Sequence, residues 1–216
     1  MTADERVEPT TVTVGWILEA LDGKVPQWDK LRKESKIKCF ETHLISGAGF
    51  LSNVLRLRVV FENGEHFPLI LKATTTDKLT ALYLADETAP TVDPSEDTTT
   101  MLIVSYHNQE INFYENIGNQ YKGFQLAKMY GSKRSTLHPV EHGQILLEDV
   151  SHLGMLADNR VGLNLQQCES VIKTIANFHA YTLSLPNINE ILKKMPNMMD
   201  AFEESAFDFV KSCCEN

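Results

Sequence analysis

Cysteine is scarce: Cys39, Cys168, Cys213 and Cys214 are the only four in 216 residues, and no CxxC pair occurs. Adjacent Cys213 and Cys214 make a poor staple, so neither a disulfide-framed scaffold nor a common zinc-finger spacing is present. No Asn-x-Ser/Thr sequon occurs. Positive charge is short as well, with 20 Lys and Arg against 29 Asp and Glu and a net charge of −9. That balance disfavours nucleic acid or an anionic membrane as a general partner. No apolar run approaches the length a bilayer requires, and residues 1–10 are polar with no apolar signal core. These absences lead us to expect a reducing, cytoplasmic compartment. What is present is an ordinary globular mixture, 43% hydrophobic and 23% charged, enough to bury a core.

The pattern along the chain predicts a short helix over 12–21, capped by Thr11 or Thr13 and stopped by Gly23. Residues 24–38, charged and carrying Pro26, read as irregular. Three strands are expected at 38–46, 50–61 and 66–73. In the second, Leu55, Leu57, Val59 and Phe61 share one face, with Arg56 and Arg58 on the other. Asn63-Gly64 is the hairpin dipeptide between the second and third strands, because both positions tolerate positive φ. Residues 86–100, acidic and rich in Thr and Pro, are expected to be a mobile loop. A helix at 101–117 ends at Gly118, and two strands are predicted at 125–130 and 143–148, with a turn-rich stretch between them. Asn164, with Gln167 at the capping-box position, opens a helix that Pro186 stops. Leu165, Cys168, Ile172, Ile175, His179 and Leu183 step round one face of it at spacings of three and four, with Cys168 read as a packing residue, and two short helices are expected beyond it. The order implies an α+β fold, a five-stranded antiparallel sheet crossed by one helix and followed by helices.

Two charged residues break apolar patterns. Lys72 lies in a strand of apolar residues, where it loses hydration unless an anion meets it; the alternative is snorkelling at a sheet edge. Glu110 falls on a helix stripe of Leu102/Ile103, Tyr106, Phe113/Tyr114 and Ile117, and needs a cation there unless it reaches water at the stripe's border. Lys72 is the obvious partner. Gly47, Gly49, Ser52 and Asn53 stand between the first two strands, where glycines let backbone N–H groups approach a ligand or mark only a tight turn. No helix follows, as a Rossmann fingerprint requires, and no Gly-Lys-Ser/Thr of a Walker A loop is present.

A glycine turn, a lysine on the third strand and a helix glutamate together resemble the small lobe of a protein-kinase-like fold. Three segments narrow the resemblance: Ser46-Gly47-Ala48-Gly49-Phe50-Leu51-Ser52-Asn53, His107-Asn108-Gln109-Glu110-Ile111-Asn112-Phe113-Tyr114, and Leu146-Leu147-Glu148-Asp149-Val150. They resemble the CHK-kinase-like group, which holds the ecdysteroid-kinase-like proteins of insects and their nematode relatives and is akin to choline kinases and aminoglycoside phosphotransferases. The resemblance implies a small lobe over 1–147, an interlobe hinge at 148–153 and part of a helical large lobe over 154–216. It further implies that Gly47, Gly49 and Ser52 border nucleotide phosphates, that Lys72 contacts them while held by Glu110, and that backbone groups of Glu148 and Val150 bond adenine.

The family's catalytic loop, H-G-D-x-x-x-x-N, and its D-x-Q metal motif do not occur in the 216 residues. No catalytic base and no metal ligand can therefore be named, and His179, on a helix's apolar face, reads as a packing residue. The expectation is the N-terminal part of an ATP-dependent phosphotransferase acting on a small-molecule hydroxyl. It would be truncated and inactive alone, with weak ATP binding and Mg²⁺ used only with the missing large-lobe groups. The rival reading is a non-catalytic module that binds a nucleotide, or a protein partner on an exposed apolar surface of the 164–185 helix that the missing lobe would leave bare. A structural domain without ligand would require the Lys72–Glu110 pairing to be accidental.

Overall fold

The computed structural model describes residues 2–45, 51–75, 98–123, 126–154 and 161–195. Gly47, Gly49, residues 86–97 of the loop expected at 86–100 and the second tail helix lie outside the described residues, and residues 98–100 of that loop are helical instead. Helix α1, Val14–Leu21, is capped by the Thr13 hydroxyl, which accepts from the Trp16 N–H. The stretch read as irregular is instead a second helix, α2, Pro26–Glu34. Pro26 opens it rather than breaking it, because the first helical position needs no N–H and favours proline's fixed φ. Trp28 then points inward and is fully buried.

The sheet contains β1, Ile37–Leu44; β2, Ser52–Phe61; β3, His66–Thr74; β4, Met129–Lys133; and β7, Gln144–Glu148. Its order is β1-β2-β3-β7-β4, with every neighbouring pair antiparallel. Gly64, at φ +88°, makes the hairpin turn between β2 and β3. A two-residue pair, β5, Thr136–Leu137, and β6, Val140–Glu141, forms a separate hairpin. The strand expected at 125–130 thus lies further on, and part of the supposed turn region is sheet. Gly131 sits inside β4 because α1 presses on it: a Cβ there would stand 2.8 Å from the Ala20 Cβ.

Alternation along β2 and β3 divides the core into two layers. Leu55, Leu57, Val59, Phe61, Phe67, Leu69, Leu71 and Leu146 face α1 and α2. Trp28 stacks edge-on against Phe61 and Phe67 at 5.7 and 5.5 Å. The opposite face carries Ile70, Ile145 and Leu147, and against it packs α3, Thr98–Phe113, through Ile111 and Tyr114. A π-helical turn, Tyr114–Gly118, continues α3. The helix therefore starts three residues earlier than expected, and its last turn is wider than an α-helix. Its buried stripe is also rotated: Ile103, His107, Ile111, Tyr114 and Ile117 are buried, whereas Tyr106 is exposed.

After the 3₁₀ turn Ser151–Leu153 come α4, Leu165–Ser184, and α5, Ile188–Lys194. The capping box of α4 is complete: Asn164 Oδ1 accepts from Gln167 N–H, and Gln167 Oε1 accepts from Asn164 N–H, each at 2.9 Å. The apolar face of α4 is largely exposed. Leu165, Ile172, Ile175 and Leu183 are exposed, as is His179; Cys168 is half-buried, and Phe178 and Tyr181 turn inward to stack on Tyr121. Periodicity identifies an amphipathic face but does not supply the surface that would cover it. The whole is an α+β arrangement in the form of a kinase-like small lobe followed by helices.

Candidate functional site

Strand register places the site. Cross-strand pairing puts Val54 opposite Lys72 and Lys72 opposite Ile145, all on the face that α3 covers. Lys72 thus leaves the sheet toward the helix. Glu110 leaves α3 from the shoulder of its buried stripe, three residues after His107 and one before Ile111. The two meet: Lys72 Nζ donates to Glu110 Oε2 at 2.5 Å, with 25% and 30% of the side chains exposed. A charge-assisted bond of this length, at the border of the apolar layer, holds the ammonium in one place while leaving it reachable from solvent.

The other expected site residues fall around this pair. Ser52 opens β2, is buried, and lies opposite Thr74 at the end of β3. Gly47 and Gly49 precede it, outside the described residues. Glu148 ends β7; its N–H donates to Lys128 O at 2.9 Å, and its carboxylate accepts from the Lys128 N–H at 3.2 Å. Val150 follows, with its carbonyl accepting from the Leu153 N–H at 2.9 Å.

Several residues at the site were not legible as such in the sequence. Asp149 is buried, and its carboxylate accepts from Arg56 Nε at 3.1 Å and from the Ser151 N–H at 2.9 Å. This ties the segment after β7 back to β2. The only signal was Arg56 on the non-core face of β2, which does not point to a partner about ninety residues away. His107 is buried on α3, and Nε2 donates to Lys133 O at 2.9 Å. Desolvation holds its imidazole below the ordinary histidine range, against the Lys133 bond and the Glu110 charge, which favour protonation; Lys72 and Arg134 add to the lowering. Burial, helped by Glu110, pushes the Tyr114 phenol up.

Among the described residues no group of three or more His, Cys, Asp or Glu side chains could hold a metal ion. No described helix is long and apolar enough to cross a membrane. Chemically, the arrangement offers a fixed, accessible cation beside an apolar sheet face, which suits an anionic ligand with an apolar end.

Neither a curated protein nor a solved structure matches the chain. The family model described as the ecdysteroid kinase-like family matches residues 46–215, a span that takes in the glycine segment, Lys72, Glu110 and the strand ending at Glu148. That match covers most of the 216 residues, so the chain belongs to the ecdysteroid kinase-like family, a group of kinase-like phosphotransferases.

Proposed function

We propose that this chain carries the nucleotide-holding part of an ATP-dependent phosphotransferase whose acceptor is a hydroxyl on a small molecule. The observation that carries the reading is the Lys72–Glu110 ion pair between β3 and α3. A lysine positioned by a helix carboxylate is the kinase-like way of placing one cation on nucleotide phosphates. Gly47, Gly49 and Ser52 would supply backbone and hydroxyl groups to the same phosphates. For adenine, the reading uses the Glu148 carbonyl as acceptor and the Val150 N–H as donor, since the Glu148 N–H is engaged with Lys128 and the Val150 carbonyl with Leu153. Residues 1–147 form the small lobe in this reading, 148–153 the hinge and 154–216 part of the helical large lobe.

Family membership brings ATP and Mg²⁺ as the general co-substrate and metal. When bound, Mg²⁺ would neutralise charge on the phosphates. In this chain Lys72 binds and orients, the sheet face excludes water from one side, and neither H-G-D nor D-x-Q is present to deprotonate an acceptor or hold the metal. The 216 residues by themselves are therefore proposed to bind ATP weakly and not to transfer its phosphate.

Calorimetry with Mg²⁺-ATP tests the site. Weak binding that disappears in Lys72→Ala is expected. Sub-micromolar binding that survives Lys72→Ala would place the nucleotide elsewhere. The exposed apolar residues of α4, Leu165, Ile172 and Leu183 among them, favour a second reading: a module that binds a nucleotide or a protein partner without turnover.

A further inference from the structure

Helix α3 meets the rest of the fold through two kinds of contact. Ile111 and Tyr114 press on Ile145 and Leu147. Such apolar contact is non-directional and does not by itself choose one rotation or height of a helix. Directional contacts run to Lys72 through Glu110, to Lys194 O from Asn112 Nδ2 at 2.7 Å, and, as a group on one flank, to residues 133–135. His107 Nε2 donates to Lys133 O at 2.9 Å, a bond that requires the proton on Nε2 because a carbonyl only accepts. Asn108 Nδ2 donates to Ser135 O, and Ser135 N–H donates back to Asn108 Oδ1, both at 3.0 Å. Arg134 donates to Asn112 Oδ1 at 2.8 Å and to Glu115 Oε2 at 2.7 Å.

The same segment is bonded to the strand that carries Lys72. The Gly143 N–H donates to Ser135 Oγ at 2.8 Å and to Thr74 Oγ1 at 2.9 Å, while the Thr74 N–H donates to Gly143 O at 3.0 Å. Thr74 stands two residues beyond Lys72 on β3. The bonds close a ring, from Lys72 to Glu110, one turn back to His107, across to Lys133 and Ser135, and through Gly143 and Thr74 to β3. Gly143 completes the seat for the imidazole: a Cβ there would overlap His107 Nε2 and stand 2.6 Å from Lys133 O.

We propose that His107 is a positioning residue, which, seated on Gly143 and bonded to Lys133, fixes α3 at the rotation and height where Glu110 meets Lys72. The consequence for nucleotide affinity rests on the function proposed above; the geometric claim does not.

Two variants separate the bond from mere volume. His107→Gln can place an amide N–H near the position of Nε2, whereas His107→Asn is too short to reach the Lys133 carbonyl. Ile17→Val, in the opposite core layer, serves as a control that lowers stability alone. The first readout is the acylation rate of Lys72, followed by peptide mass spectrometry well below the unfolding temperature; the second is Mg²⁺-ATP calorimetry. His107→Asn is expected to raise Lys72 acylation about threefold and to weaken ATP by a similar factor, the low end of coupling within one hydrogen-bond network. His107→Gln should return both toward wild type, and Ile17→Val should move neither. Unchanged Lys72 acylation in His107→Asn would reduce His107 to a packing residue and overturn the proposal, as would equal effects of the Asn and Gln variants. Should His107→Asn fail to fold, Gly143→Ala, which evicts the imidazole, is expected to raise Lys72 acylation in its place. If acylation responds as expected but wild-type chain binds no ATP, positioning stands and the nucleotide reading falls.

Discussion

At the scale of single residues, the decisive feature is a cation and an anion each held at the border of an apolar layer. Lys72 and Glu110 are only about a quarter to a third exposed, so removing one leaves the other poorly hydrated. Glu110→Ala is expected to cost about 1–2 kcal/mol in denaturant unfolding, a modest value because part of each side chain still reaches water. The same variant should weaken any ATP binding more than it weakens the fold, since the freed lysine no longer has one position; calorimetry beside urea unfolding checks this. His107 adds a pH dependence. Its folded-state pKa is lowered by burial, so the unfolded chain binds its proton first as pH falls. Stability from this group is fully present above the unfolded value of about 6.5 and declines as pH drops from there toward the folded value. Glu110, Lys72 and Arg134 surround it, and Lys133 supplies the acceptor. Urea midpoints measured from neutral pH downward should fall less steeply in His107→Gln than in wild type.

At the scale of elements, close approach and burial decide which substitutions matter. Trp28 anchors α2 to the sheet through Phe61 and Phe67, and Trp28→Ala is expected to cost about 3–5 kcal/mol in unfolding free energy. Helix α4 behaves differently. None of its residues is fully buried, so its order depends on local features such as the Asn164 capping box. Asn164→Ala should cost the helix about 1 kcal/mol and raise amide exchange across its first turns, with little change at β2 or β3. Equal exchange increases in sheet and helix would mean that α4 unfolds only with the whole molecule.

At the scale of the molecule, phosphoryl transfer asks for more than one cation. It needs an aligned nucleophile, a group to position or deprotonate it, and positive charge on the β- and γ-phosphates. Lys72 supplies one charge; Asp149, a carboxylate within the proposed hinge, is already engaged by Arg56 and the Ser151 N–H. The 216-residue chain, incubated with Mg²⁺-ATP and sterol, choline-like and aminoglycoside acceptors, is expected to show no turnover above a Lys72→Ala control. Clear turnover would mean that a carboxylate outside the family's motifs acts as the base.

Local pattern carried much of this protein. Alternation in 52–61 set the buried face of β2, Asn63-Gly64 set the hairpin, Asn164 and Gln167 set the start of α4, and two charged residues out of place in apolar patterns marked the pair that the fold brings together. These features depend on neighbours in the chain, which is why they can be read there. Helix α2 was missed because Pro26 was read as a breaker, when its position at the first turn makes it a helix opener. The inward face of α3 differs from the expected one because an apolar stripe counts Tyr106 and passes over the adjacent polar His107, whose burial depends on the polar seat at Lys133 and Gly143. The exposed stripe of α4 has the periodicity of a packed helix, and nothing in a period says what lies opposite. The sequence by itself determined most of the elements, the sheet's inner face and the two charges that needed partners. Only the tertiary structure decided which helix residue turns inward, how Arg56 finds Asp149, and how a ring of bonds through Thr74, Ser135 and His107 sets the register of α3, because each depends on groups far apart in the chain meeting at hydrogen-bond distance.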